Sequence, residues 1–528
     1  MRFCTRSRRS AAFPFRPPSG RCCGPRAPGG RDAPDARRID APPHRLYVAA
    51  MTDTLMVGVS GIRGIVGKDL TPENVARYAA AFGVWAIDGK RETRKGKRRS
   101  RAVVLGRDAR TSGPMFAHAA IAGLVSVGCD VIDIGLTTTP TAQLAALHHR
   151  AAGGIILTAS HNPIEWNALK FIGPDGIFLD TDAGARVQVL ASDGSLPRAD
   201  YGKLGQVTPD NSSIPRHVAQ VLRLPAVAIA RLRRRRFRVA LDTVRGSGGA
   251  VMPELLTRLG CRVTGINLAA DGRFPRPPEP LPEHLAALGA LVRRAKADVG
   301  IAVDPDVDRL ALVDERGRPI GEDYTLAFAV RAVLGVGRSD ARTVGRRRPR
   351  GPVVCNLSTS LVVEDAARDC GAEVIRVPVG EVHVARAMQA HRAPIGGEGN
   401  GGVMYPALHV GRDAPVAAAL VLTLLARDGR PVSALVGAAP RYQIVKAKVE
   451  RGTRNAEGLL EEVYAALRRR FRDAAVDTQD GLRLTWRDRW LHVRPSNTEP
   501  IIRLIAEAPS GTAAEQLVEE GRKLCAAS

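Results

Sequence analysis

The sequence predicts an α/β protein with three tandem α/β domains of similar topology, mainly parallel mixed sheets, and a smaller C-terminal α+β domain. Three observations predict it. A unit made of a short β-rich run, a helical stretch and a glycine-led second β-rich run occurs three times. Spacings of about 20–30 residues within each unit fit right-handed βαβ crossovers, which give parallel strands with helices on both faces. The 528-residue chain is long enough for three or four domains with substantial cores.

The elements follow in chain order. The first unit pairs residues 103–105 with 128–134, the second 237–241 with 260–266, and the third 353–355 with 370–377. After these the pattern changes. Residues 442–449 read as a strand and 456–471 as an amphipathic helix. Residues 482–486 and 490–494 form a hairpin around Arg487-Asp488-Arg489, followed by a strand at 501–508 and a closing helix at 512–527. That is an antiparallel sheet with helices. The expected domains are 51–210, 211–317, 318–432 and 433–528.

Residues 1–50 are rich in Arg, Pro, Gly and Ala, with no periodicity and no apolar core of a signal peptide. They are expected to be a disordered extension, with Met51 as the natural start and a transit peptide as the weaker competitor. The formal charge of +25 raises a nucleic-acid reading. Its excess lies in short runs at 90–101, 231–238 and 346–350 with no interleaved aromatics, so solvated loops and helix ends account for it and no specific nucleic-acid partner is expected. No run of apolar residues approaches membrane-spanning length, so no membrane partner is expected. The cysteines include no CxxC pair, and those beyond the N-terminal stretch sit in or beside apolar segments. Both points suit reduced thiols and a cytoplasmic location.

Four segments carry chemistry. Thr158-Ala159-Ser160-His161-Asn162-Pro163 follows the apolar run Gly154-Ile155-Ile156-Leu157. Small neighbours leave the Ser160 hydroxyl accessible as a nucleophile or phosphate carrier, and Pro163 argues for a loop. An ordinary turn is the plain alternative. Asp304-Pro305-Asp306-Val307-Asp308-Arg309 follows the apolar strand 299–303. Carboxylates at alternate positions can converge on one hard cation, and oxygen-only ligands favour Mg²⁺; an acidic turn with solvated aspartates is the plain alternative. The calcium-loop pattern fails, because no glycine stands at its sixth position and no glutamate at its twelfth.

Gly396-Gly397-Glu398-Gly399-Asn400-Gly401-Gly402 lets backbone approach a ligand, and Glu398 can accept from two neighbouring hydroxyls. A flexible loop would read the same way. It has neither the GxGxxG register nor a P-loop lysine. Arg494-Pro495-Ser496-Asn497-Thr498-Glu499-Pro500 offers a guanidinium, hydroxyls and an amide to a phosphate, and a turn rich in Ser, Asn and Pro would read the same way. Ser60-Gly61-Ile62-Arg63-Gly64 adds an arginine on a glycine-flanked loop, and Gly106-Arg107-Asp108 follows a strand, with a purely structural role as its plain alternative.

With these four loops in this order, the chain resembles the α-D-phosphohexomutase superfamily from about residue 57 to its end. The resemblance implies four domains around a central cleft, with Ser160 carrying the transferable phosphate and also ligating the metal. It assigns Asp304, Asp306 and Asp308 to Mg²⁺. Glu398 and Asn400 fall to the sugar, and Arg494, Ser496, Asn497 and Thr498 to the substrate's non-reacting phosphate. Arg63, Lys170 and Arg309 match positions supporting phosphoryl transfer, and a hexose 1,6-bisphosphate would serve as primer and intermediate.

Many members carry a histidine shortly after the glutamate, whereas this chain has none there; Lys170 and His161 are the candidates for its role. The combination SGIRG, WNALK, DPDVDR and GEGNGG is most similar to the archaeal-type phosphoglucosamine mutase branch. A phosphosugar partner, conversion of glucosamine 6-phosphate to the 1-phosphate, and a monomer or homodimer are what it implies. A phosphomannomutase/phosphoglucomutase is the alternative.

Overall fold

A computed structural model describes residues 55–58, 61–88, 100–193, 195–335, 351–450, 456–496 and 501–527. The 1–50 extension, Asn497 and Thr498 lie outside the described residues. Four sheets follow one another along the chain. The first comprises β1 (Met56–Gly58), β2 (Gly61–Ile65), β3 (Ala102–Arg107), β4 (Asp130–Leu136), β5 (Gly153–Leu157), β6 (Trp166–Ile172) and β7 (Val207–Pro209), in the order β1-β2-β6-β5-β3-β4-β7. The second contains β8 (Arg238–Asp242), β9 (Arg262–Ile266), β10 (Val299–Val303) and β11 (Leu310–Val313), ordered β11-β10-β8-β9. The third contains β12 (Val353–Asn356), β13 (Val374–Val377), β14 (Ile395–Glu398), β15 (Gly402–Tyr405) and β16 (His409–Arg412), ordered β13-β12-β14-β15-β16.

Each β-rich pair read from sequence is a parallel pair: β3 with β4, β8 with β9, β12 with β13. The structure extends this repeat from two strands to four. In every unit a third strand (β5, β10, β14) runs parallel to the first, and a fourth (β6, β11, β15) pairs with the third antiparallel. The third strand is buried along its whole length in all three units. Strands covered on both faces need continuous apolar or small residues, and GGIIL and VGIAV supply them. The loop between third and fourth strands therefore leaves the core at an equivalent place three times.

The last sheet holds β17 (Gln443–Glu450), β18 (Ala475–Asp477), β19 (Leu482–Thr485), β20 (Trp490–Pro495) and β21 (Ile501–Ala508), all antiparallel in the order β17-β21-β20-β19-β18. The hairpin at 487–489 is present, closed by Trp486 N–H donating to Arg489 O at 2.9 Å. The short edge strand β18 was not read from the sequence.

Apolar packing divides the molecule unevenly. One continuous core joins the second and third units, running from Val218 through Phe328 to Leu425. The first sheet packs its own clusters around Phe82 and Ile156. The last sheet packs a separate core of Val463, Leu491, Leu504 and Val518. Cys129, Cys261, Cys355 and Cys525 are buried free thiols. No described helix is long and apolar enough to cross a membrane.

Candidate functional site

The three equivalent loops carry the three predicted chemistries: Ser160 after β5, the aspartates after β10, and Glu398 as the last residue of β14. Carboxyl ends of parallel strands are where open α/β sheets expose ligand sites. The loops meet through backbone as well as side chains. Thr139 N–H donates to Asp306 O at 2.9 Å, Leu310 N–H to Gly401 O at 3.1 Å, and Ser247 N–H to Pro305 O at 2.8 Å.

Ser160 Oγ donates to Asp304 Oδ2 at 2.9 Å, across 144 residues of sequence. The serine is buried, with φ +47°, and Val307 in the cation loop has φ +65°. Left-handed backbone at non-glycine residues, above all at a β-branched one, persists only where surroundings impose it. At Ser160 the imposing group is Arg110, which the sequence analysis did not single out. Its guanidinium is fully buried. Nη2 donates to Ser160 O and Asn162 O at 2.7 Å each, and Nη1 donates to Pro163 O at 2.6 Å and Trp166 O at 2.8 Å. Its Nε lies 3.2 Å from Asp108 Oδ2, which also accepts from Thr158 Oγ1 at 2.6 Å. Phe274, from the second unit, covers the guanidinium at 5.1 Å. The clue was an arginine two residues beyond Asp108 in the turn after β3, but its targets lie about fifty positions on.

Oxygens of Asp304, Asp306 and Asp308 all lie within 4.8 Å of one another, and all three residues are fully buried. Burial and the two neighbouring carboxylates push Asp304 well above the usual carboxylate range. Against the cost of its own burial, Asp306 is held low by Lys170, whose Nζ is 3.1 Å from Oδ2, and by Thr139 Oγ1, which donates at 2.6 Å. Asp304 Oδ1 accepts from Asp308 N–H and Arg309 N–H at 3.2 Å. Asp306 Oδ1 and Asp308 Oδ1 are buried without a hydrogen-bond partner.

Arg63 was expected on a loop, and Lys170 was assigned to no element. They lie on β2 and β6, which pair antiparallel with Arg63 opposite Ala168 and Gly61 opposite Lys170. Strand alternation puts both on one face. Arg63 Nη1 donates to Asn162 Oδ1 at 2.8 Å, and Arg309 Nη1 pairs with Glu279 Oε1 at 2.9 Å. His161 follows the serine; burial, then Arg309, Arg63 and Lys170, hold its imidazole well below the usual histidine range, so it is neutral at pH 7.

Glu398 is buried. Oε1 accepts from Asn356 Nδ2 at 2.8 Å and Gly380 N–H at 3.2 Å, and Oε2 accepts from Asn400 Nδ2 at 3.4 Å. Arg412 Nη1 lies 2.7 Å from the same Oε2. Despite its burial, that guanidinium and the Asn356 amide keep Glu398 below the usual carboxylate range. Arg412 was also missed by sequence reading. On the last sheet, Arg494 Nε pairs with Asp480 Oδ2 at 3.0 Å, and Ser496 Oγ accepts from Arg503 Nε at 3.2 Å.

The chain matches the phosphoglucomutase/phosphomannomutase alpha/beta/alpha domains I, II and III over residues 54–195, 215–317 and 332–442, and the C-terminal domain over 444–524. The chain belongs to the phosphoglucomutase/phosphomannomutase family. It is therefore an isomerase-class phosphohexomutase. A phosphoglucomutase/phosphomannomutase of Thermococcus kodakarensis is 37% identical over 89% of this chain and 98% of its own length. A probable phosphoglucosamine mutase of Methanopyrus kandleri is 36% identical over 88% and 96%. Among solved structures, a phosphoglucomutase/phosphomannomutase family protein from Burkholderia thailandensis superposes with a TM-score of 0.73 at 26% identity, covering 89% of this chain and 97% of its own.

Proposed function

We propose that this phosphohexomutase interconverts glucosamine 6-phosphate and glucosamine 1-phosphate through phosphorylated Ser160 and a 1,6-bisphosphate. The observation that carries the reading is the 2.9 Å contact between Ser160 Oγ and the Asp304 member of a buried three-carboxylate cluster. Two buried carboxylate oxygens in that cluster that accept no hydrogen bond, Asp306 Oδ1 and Asp308 Oδ1, suit a hard divalent cation. Asp304, Asp306, Asp308 and Ser160 would hold Mg²⁺, which when bound supplies Lewis-acid stabilisation of phosphoryl oxygens.

In the first half-reaction the P–O bond to Ser160 Oγ breaks as a P–O bond to a sugar oxygen forms, and the sugar hydroxyl's proton leaves for the freed serine oxygen. The reverse transfer from the other sugar oxygen restores the phosphoserine. Lys170, Arg309 and Arg63 place positive charge where phosphoryl oxygens accumulate charge, which is most of what this chemistry requires of a protein. His161, next to the serine in the chain, and Lys170, which reaches Asp306, are the proton-handling groups. Arg110 aims the serine. Glu398 and Asn400 read sugar hydroxyls in either orientation, and Arg494, Ser496, Asn497 and Thr498 hold the phosphate that is not reacting.

Likeness to the probable phosphoglucosamine mutase of Methanopyrus kandleri supports the amino-sugar reading. The Thermococcus kodakarensis relative favours a second reading, a phosphoglucomutase/phosphomannomutase. Conversion of the 6-phosphates of glucosamine, glucose and mannose, with Mg²⁺ and a bisphosphate primer, separates them. The expected outcome is the highest kcat/KM for glucosamine 6-phosphate and no sustained turnover by Ser160→Ala. Turnover by Ser160→Ala at the parent rate overturns the serine's role, and a glucose or mannose preference overturns the substrate.

A further inference from the structure

A Cβ placed on Gly402 would lie 2.3 Å from Arg412 Cδ and 2.9 Å from its Cγ. The arginine stem thus fills the volume that a side chain at 402 requires. The stem cannot swing aside, because its guanidinium is held at three points. Nη2 is 2.6 Å from Asp308 Oδ2, Nη1 is 2.7 Å from Glu398 Oε2, and Nε is 3.1 Å from Glu381 Oε2. Despite burial, these three carboxylates hold the guanidinium firmly in its charged form. Glu381 is fixed in turn by Gln143 Nε2 of the first unit at 3.1 Å.

Asp308 belongs to the cation loop and Glu398 to the sugar-reading loop. A planar fork with fixed N–H directions sets the orientation of both carboxylates at once, which an ammonium or an imidazole cannot do. The oxygen of Asp308 facing Arg412 is Oδ2, leaving Oδ1, which accepts no hydrogen bond and lies 3.6 Å from Arg309 Nε, on the side of the cation cluster.

We propose that Arg412 is a positioning residue that orients the cation loop and the sugar reader together, and that Gly402 is bare in order to admit it. This inference rests on the cation and sugar roles proposed above.

The test is a double-mutant cycle read by binding as well as turnover. Mg²⁺ is titrated calorimetrically into unphosphorylated enzyme without sugar, and glucosamine 6-phosphate into the same enzyme without metal. Arg412→Lys and Arg412→Ala are each expected to weaken both ligands by about tenfold or more, the usual loss when a group that orients a metal ligand is removed. Gly402→Ala alone is expected to produce a similar loss by displacing the stem. In the Arg412→Ala background, Gly402→Ala should cost less than about twofold, since the collision is gone.

Additive losses along the cycle overturn the pairing of Gly402 with Arg412. Unchanged Mg²⁺ and sugar affinities in Arg412→Lys and Arg412→Ala, at a kcat/KM reduced or not, overturn the positioning role. If Arg412→Ala does not fold, Arg412→Lys and Gly402→Ala decide, each with its melting temperature recorded. Parent enzyme that binds neither ligand overturns both this inference and the reading beneath it, whereas normal parent binding with insensitive variants overturns only this inference.

Discussion

The junction between the first and second units and the junction between the third and last units are built from different materials. Around Ser160 the contacts are buried and charged: Arg110 ties the serine loop to Asp108, Ser160 reaches Asp304, and Lys170 reaches Asp306. The second and third units go further and share one apolar core. The last sheet keeps its own core and meets the third unit through polar groups. Ser358 Oγ bonds His492 Nδ1 at 2.9 Å, Leu361 N–H donates to Glu507 Oε2 at 2.8 Å, and Val379 N–H donates to Asp480 Oδ2 at 3.0 Å. Polar contacts exchange with water at a net difference of about 1 kcal/mol each, whereas a shared apolar core cannot be opened piecemeal. The serine end is held by buried charge pairs, and the last sheet is joined to the third unit by hydrogen bonds.

The contrast can be broken at its strongest point first. Arg110→Met removes one partner of a buried ion pair and leaves Asp108 and four carbonyls unserved, so a loss of about 3–5 kcal/mol in stability is expected. Turnover should fall at least about a hundredfold, because the left-handed serine loses the group that imposes its conformation. Chemical denaturation and kcat/KM measure the two. Next, Leu420→Ala in the shared core should cost about 2–5 kcal/mol and lower the melting of the second and third units together in calorimetry. Two separately shifted transitions for those units would show that the core is not shared.

The polar junction should respond to acid. Burial pushes His492 down to about 4 from the usual 6.5, so the folded junction keeps the imidazole neutral while the unfolded chain protonates. The stabilisation is complete above pH 6.5 and is lost as pH falls from there through 4, on the order of 3 kcal/mol in total. The expected readout is a fall in the melting temperature over that window, much reduced in His492→Gln. The smallest effect belongs to Glu507→Gln. It weakens the acceptor of Leu361 N–H and Trp490 Nε1 and should cost about 1–2 kcal/mol. That variant should raise KM for the sugar phosphate more than it lowers kcat; equal changes in both would place Glu507 outside substrate-phosphate closure.

Much of the candidate site was legible in the sequence because its chemistry demands particular residues at short spacing. Alternate aspartates after an apolar strand, a serine among small residues, and a glutamate among glycines announce themselves within six residues. Arg63 and Lys170 were legible as residues but not as strand positions. The fourth strand of each repeat pairs antiparallel across the loop, and short apolar runs such as GIRGI and WNALKFI do not declare their partners. Arg110 and Arg412 were not legible at all. Each serves groups on other loops, 50 to 56 residues away for Arg110 and 104 residues away for the Asp308 contact of Arg412.

By itself, then, the sequence determined the α/β repeat, the antiparallel last domain and the four candidate loops. Those depend on local periodicity and on residue types that near neighbours cannot replace. Tertiary structure alone decided that the three equivalent loops converge and which arginines hold them in register. Only close packing could decide that a glycine two positions past Asn400 is empty because an arginine stem lies there. Buried charges take their meaning from partners that the fold brings within 3 Å, and sequence distance carries no record of that.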